Sequence, residues 1–194
     1  MAAMRRLVVR MRRCAGCGGN GPPVFGRFES SQNWMLVGQA PGKEEVRLGM
    51  PLVGPAGRRL FQWLQQAGFE EQEFRSQCYI TAMYKCYPGK GGHGDLKPSR
   101  SQLERCEGFV HQEFDLVRPE VLVLVGSMAI DHFLGHLPLA DAVGRKFEKT
   151  VRGREVTVIP LPHPSGASVW PFLPKNQKLL KRALRLVRQA ASAR

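Results

Sequence analysis

The sequence predicts an α/β protein, a three-layer αβα sandwich around a central, mainly parallel four-stranded sheet. Three observations carry that expectation. Short apolar runs at 33–37, 78–83, 121–125 and 156–161 alternate with stretches of helical periodicity. The run 121–125 reads Val-Leu-Val-Leu-Val without a polar break, the pattern of a strand buried on both faces. The intervening segments carry helix start and stop signals, Ser99 before the long stretch to 117 and Gly68 after 55–67.

In chain order, residues 1–13 read as a short basic helix, and the first strand, 33–37, ends in the turn Gly38-Gln39-Ala40-Pro41-Gly42. Leu60, Phe61 and Leu64 give 55–67 an apolar helical face. The second strand, 78–83, runs into a Gly/Pro/Lys-rich loop at 88–98. Leu103, Cys106, Phe109, Val110 and Phe114 line one side of a helix that Arg118-Pro119 ends. Gly126-Ser127 lead into a short helix through Phe133, residues 147–160 read as a hairpin around Arg152-Gly153, and 176–190 forms an amphipathic basic helix. No internal repeat or linker interrupts this order, so residues 1–194 are expected to form a single domain, with basic segments at 1–28 and 171–194.

Composition narrows the function. The chain has 194 residues, 43% hydrophobic and 23% charged, which excludes a disordered chain, and its apolar runs are too short to span a bilayer. The formal charge is 29 − 16 = +13, which points to a polyanionic partner, nucleic acid or an anionic membrane surface, beside the reading of a merely solubilising surface. The charge gathers at the ends. Arg5, Arg6, Arg10, Arg12, Arg13 and Arg27 precede the first acid, Glu29, while Lys175, Lys178, Lys181, Arg182, Arg185, Arg188 and Arg194 close the chain without one. A fold that brought both ends to one face would build a phosphate-binding surface. The Arg-rich start mildly resembles a transit segment but runs straight into Cys14, so an intracellular, cytoplasmic protein is expected.

Parallel sheets bind ligands outside the carboxyl ends of their strands. Those ends are 38–42, 81–86, 126–127 and 162–165, and they are expected to converge on one cleft. Cys14 and Cys17 form a Cys-x-x-Cys pair, with Cys86 and Cys106 downstream. By spacing alone this set suits a structural zinc ahead of an iron–sulfur cluster. Cys78, opening an apolar strand, reads as core packing.

The ordered set of motifs resembles family 4 uracil-DNA glycosylases over nearly the whole chain: Gly38-Gln39-Ala40-Pro41-Gly42, the stretch 49–57, Tyr79-Ile80-Thr81, Lys85-Cys86, Cys106, Gly126 before a helix, and His163-Pro164-Ser165. The resemblance implies DNA as partner, a monomer, and a [4Fe–4S] cluster on Cys14, Cys17, Cys86 and Cys106, with structural zinc as the alternative. It implies hydrolysis of the N-glycosidic bond of a flipped-out uracil to leave an abasic site. His163 would donate a hydrogen bond to the departing base. Gly38, Gln39, Ala40, Leu52 and Ala82 would surround the base. Gly126 and Ser127 would hold a DNA phosphate at a helix N-terminus. Ser165, Val169 and Trp170 lie in the loop that would wedge the vacated stack, with Val169 and Trp170 where the family commonly carries an arginine.

Three departures bear on specificity. Gln39 replaces the family's acid, and an amide orients a water but cannot take its proton, which leaves Glu45 or Glu44 as candidate substitutes. Leu52 replaces the aromatic that stacks on the base, and Ala82 replaces the asparagine that reads its pairing edge. Alternative readings are therefore a glycosylase for another deaminated or damaged base, such as hypoxanthine, and a non-catalytic damaged-DNA-binding protein.

Overall fold

A computed structural model describes residues 1–14, 17–92, 94–166 and 168–192. The two inner positions of the Cys-x-x-Cys motif and Arg194 of the basic C-terminal segment lie outside the described residues.

The elements are α1 (Ala2–Arg12), β1 (Trp34–Gly38), α2 (Lys43–Leu48), α3 (Pro55–Gln66), α4 (Glu71–Gln77), β2 (Cys78–Ala82), β3 (Lys90–Gly91), β4 (Gly94–Asp95), α5 (Arg100–Val117), β5 (Val121–Val125), α6 (Ser127–Leu134), α7 (Leu139–Ala142), β6 (Phe147–Val151), β7 (Arg154–Leu161) and α8 (Pro174–Ser192), with a short 3₁₀ turn at Trp170–Phe172 before α8. The central sheet has the order β2-β1-β5-β7-β6. Its four parallel strands match the expected sheet. A fifth, β6, joins antiparallel at the edge through the Arg152-Gly153 turn. The expected hairpin thus extends the sheet by one strand.

Strand periodicity divides the core in two. Trp34 and Leu36 of β1 point into a cluster with Leu60, Phe61 and Leu64 of α3, Phe74 of α4, and Leu180, Ala183, Leu184 and Val187 of α8. Met35 and Val37 point the other way, onto Met4, Leu7 and Met11 of α1, Val110 and Phe114 of α5, and Ala129 and Ile130 of α6. The apolar residues of α1 and α8 recur at helical spacing, so each helix buries one stripe and leaves its arginines and lysines outward. The two basic ends therefore lie on opposite layers of the sandwich. The condition for one shared basic face is therefore not met. The physical reason is that each terminal helix follows its own apolar stripe, and the stripes belong to different faces of the sheet.

Ser99 caps α5 in a reciprocal box. Its hydroxyl accepts from the Gln102 backbone N–H, and Gln102 Oε1 accepts from the Ser99 N–H at 2.9 Å. Gln102 Nε2 also donates to the Cys17 carbonyl (3.1 Å) and to the Tyr84 hydroxyl (3.3 Å), so the start of α5 ties down the cysteine-bearing N-terminal segment.

Candidate active site

The strand order reverses direction at β1, which has β2 on one side and β5 on the other. The carboxyl ends of these strands open onto a cleft of about 610 Å³, within the range of small-molecule sites. Gly38, Gln39, Ala40, Glu44, Glu45, Leu52, Ala82, Ser127, His163 and Ser165 all line it. The four expected loops thus meet where topology places them. Gly126, the N-cap of α6, packs against the His163 ring: a Cβ there would lie 3.1 Å from Cδ2. With φ at +89°, glycine suits this position on both counts.

His163 follows β7 and its ring is held by its own loop, the Ser165 backbone N–H donating to Nδ1 at 3.2 Å. An Nδ1 that accepts places the single proton of a neutral imidazole on Nε2. Burial, and secondarily the charge of Lys97, lower the pKa of His163 from its ordinary 6.5. The neutral tautomer with Nε2–H is therefore the resting form at neutral pH. Removing the like charge in Lys97→Ala raises the pKa of His163, and a pH titration of its imidazole NMR signals checks both the depressed value and the upward shift.

Leu52 sits at φ +58°, an unusual conformation for a branched side chain, with a cost on the order of 1–2 kcal/mol. Arg75 of α4 holds the turn there. It stacks over Phe61 at 4.5 Å and donates to the Pro51 and Leu52 carbonyls, each at 3.0 Å. A Cβ on Gly57 would lie 2.2 Å from the Leu52 carbonyl oxygen, so only glycine lets α3 pass under this turn. Arg75→Ala releases the Leu52 turn into the cleft, and the expected result is a rise in KM of about ten-fold (about 1.4 kcal/mol) with thermal stability lowered modestly. Steady-state kinetics and a melting curve measure the two.

The acids of the cleft have distinct placements. Glu45 is buried, and its oxygens accept the backbone N–H groups of Gly42 (3.2 Å) and Gly54 (2.8 Å), so it clamps two cleft loops together. Glu44 pairs outward with Arg47 at 2.8 Å. A third acid, Asp95, enters from the small β3–β4 hairpin inside the expected loop 88–98. Tyr87 donates its hydroxyl to Asp95 Oδ1 at 2.8 Å, and Oδ2 lies 3.2 Å from where a Cβ on Gly42 would stand. The sequence reading missed Asp95; the available signal was an acid beside a glycine in a loop leaving a strand end. Gln39 and Ala82 line the cleft without adding a carboxylate or an amide at the second position.

Beyond His163, Val169 is 72% exposed while Trp170 packs on the core beside α8, its carbonyl accepting from Asn176 at 2.9 Å. Of the two residues in the expected wedge loop, Val169 projects and Trp170 is half-buried against the core. Phe172 is also exposed, under Arg59, which donates to the Pro164 carbonyl. Ser127 is exposed at the start of α6.

Behind the cleft, Cys86 and Cys106 are buried against Tyr84, with Cys17 packed on the same cluster and its sulfur 3.3 Å from the Tyr84 hydroxyl. A Cβ on Gly19 would lie 2.4 Å from the Cys86 Cβ, so the N-terminal segment seats tightly here. Burial first, then the negative charges of Cys17, Cys106 and Cys14, push the Cys86 thiol up to about 12. Three of the four expected ligands thus pack together, and as thiolates they would need a compensating cation. Cys78 lies apart at the start of β2, buried in the core as expected.

The carboxyl end of β2 rests on a buried ion pair. Lys85 Nζ donates to Glu113 Oε2 at 2.5 Å, to Thr81 Oγ1 and to the Ala82 carbonyl, and Glu113 also accepts from Tyr79 at 2.8 Å. Thr81 and Ala82 line the cleft, and Lys85 directly precedes Cys86.

A mainly parallel αβα sheet with a histidine loop, a glycine-capped helix and a Gly-Pro-rich turn around one cleft defines a ligand-binding site on a doubly wound scaffold. The profile of the Uracil DNA glycosylase superfamily matches residues 25–188, and the chain belongs to that superfamily. It is similar to a Type-4 uracil-DNA glycosylase of Archaeoglobus fulgidus, 29% identical over 72% of this chain and 68% of that one. It is likewise similar to a Type-4 uracil-DNA glycosylase of Thermotoga maritima, 28% identical over 80% and 78%. A Type-5 uracil-DNA glycosylase of Pyrobaculum aerophilum is 27% identical over 87% and 77%.

Proposed function

We propose that this chain excises uracil from DNA, hydrolysing the N-glycosidic bond of a flipped-out nucleotide and leaving an abasic site. The observation that carries the reading is His163: a neutral imidazole, its proton on Nε2, held at the cleft by Ser165. As the bond between the sugar C1′ and the base nitrogen breaks, its electron pair leaves with the base. The Nε2–H then donates to the base oxygen that gathers the negative charge. The sugar becomes oxocarbenium-like and a water adds at C1′. With Gln39 unable to accept that water's proton and Glu45 engaged with two backbone N–H groups, Asp95 is the carboxylate assigned to take it.

Gly38, Ala40, Leu52 and Ala82 bound the base. Gly126 and Ser127 take a phosphate at the start of α6, and Ser165 and Val169 face the duplex. Cys14, Cys17, Cys86 and Cys106 would hold a [4Fe–4S] cluster, with structural zinc as the alternative, and the packing of Cys17 on Cys86 and Cys106 supports a shared metal site. Such a cluster supplies structural cross-linking of the N-terminal segment to α5 and the loop after β2. Among the described residues no helix is long and apolar enough to cross a membrane. The chain is read as one domain that acts as a monomer inside the cell.

Leu52 and Ala82 favour a second reading, a glycosylase of relaxed or shifted base preference, because neither stacks on nor reads a pyrimidine edge. A panel of oligonucleotides carrying uracil, hypoxanthine or xanthine separates the two. Uracil as the fastest substrate is the expected result, and faster release of hypoxanthine transfers the assignment to the second reading. On the uracil substrate, Asp95→Asn lowers kcat by about 10²-fold. Tyr87→Phe, which removes only the partner of Asp95, has a much smaller effect.

A further inference from the structure

Away from the cleft, α5 and α6 bring three metal-ligating side chains together. Glu107 and His111 are four residues apart on α5 and share one face of it, and His132 comes from the last turn of α6. One ligand atom from each lies within 4.8 Å of the others. Glu107 Oε1 is 3.8 Å from His111 Nε2 and 3.8 Å from His132 Nδ1. That is too long for a hydrogen bond to either ring. The carboxylate oxygen stands equidistant from two imidazole nitrogens and bonded to neither, while the rings face each other with centroids 5.6 Å apart. All three side chains are half-buried, which limits their competing contacts with water.

We propose that Glu107, His111 and His132 form a binding site for a zinc-class divalent cation that ties α5 to α6. Two imidazoles and one carboxylate are borderline donors that suit zinc, cobalt or nickel, and not magnesium or calcium, which prefer all-oxygen shells. Zinc–ligand bonds of about 2.0–2.2 Å require the three atoms to close by roughly 1 Å, within reach of half-exposed side chains. Three protein ligands leave a fourth position for water. Burial and the charge of His111 lower the pKa of His132, against the opposing pull of Glu107, which favours the neutral ring that a metal needs. Among neighbouring charges, Asp115 is engaged by Arg152 in two hydrogen bonds (2.8 and 2.7 Å), and Asp131 faces the exposed His136. The consequence reaches the cleft, because α6 is the helix that presents Ser127 there.

The test is titration of the purified protein, its iron content measured beforehand, with cobalt(II) and then zinc(II). The expected result is one equivalent of cobalt with weak visible d–d bands and no sulfur-to-cobalt charge-transfer band, displaced by zinc. Zinc raises the melting temperature of the wild type. The double variant His111→Ala/His132→Ala loses that equivalent and that rise while retaining its far-UV spectrum and its uracil excision. Glu107→Gln weakens cobalt binding by at least about ten-fold. Lowering the pH weakens it further, because protons compete with the metal for the imidazole nitrogens. The proposal is overturned by cobalt binding that persists unchanged in the double variant, by a spectrum dominated by thiolate charge transfer, or by no cobalt bound.

Discussion

His163→Ala lowers kcat on a uracil-containing duplex by about 10²–10³-fold, with KM within a few-fold of the wild type. In the proposed mechanism the ring donates to charge that exists only as the base departs, so its loss falls on the chemical step and not on ground-state binding. The geometry makes a second, separable demand. The Ser165 N–H reserves Nδ1 as an acceptor, so the proton must sit on Nε2. His163→Asn, which keeps a donor but shortens its reach, recovers only part of the loss. A single-turnover time course measures the chemical step for all three proteins. Equal kcat in wild type and His163→Ala would remove the histidine from the reaction.

Glu113→Ala destabilises the fold by about 3–5 kcal/mol, because it leaves the Lys85 ammonium buried without its counter-charge. For a chain of this size that lowers the melting temperature on the order of 10 °C. The effect is not confined to stability. Lys85 also holds Thr81 and the Ala82 carbonyl, and it precedes Cys86, so loosening it disturbs the cleft end of β2 and the packed cysteines together. Glu113→Leu combined with Lys85→Met regains much of the stability, since a buried pair replaced by apolar groups of similar volume is often neutral. Thermal melts of the single and double variants form the double-mutant cycle that measures the coupling.

The scaffold was legible because its signals are local. Residues 121–125 are apolar at every position and form β5, buried on both faces; Ser99 and Gln102 stand at capping-box spacing and cap α5. The cleft followed from these, since strand ends in a parallel sheet point one way. Its finer contents depend on contacts between distant residues. Asp95 lies on strands of two residues, too short to show periodicity. Glu113 occupies what reads as a helix position and meets Lys85 only through packing of α5 on β2. Arg75 reaches the Leu52 turn from α4, and Glu45 reads as a free acid until its two backbone partners are seen. The summed charge predicted a polyanionic partner, but net charge carries no information about layers, and α1 and α8 lie on opposite faces. The cysteine set was legible as a candidate metal site from spacing, and the structure packs Cys17 on Cys86 and Cys106.

The central claim is that this superfamily member catalyses base release and does not merely bind damaged DNA. The most direct measurement is a single-turnover reaction with protein in excess over a uracil-containing oligonucleotide, following free uracil by mass spectrometry and the abasic site by alkaline cleavage. The account predicts stoichiometric appearance of both products in step, abolished in His163→Ala. Saturating binding of the oligonucleotide with neither free uracil nor an abasic site would contradict it.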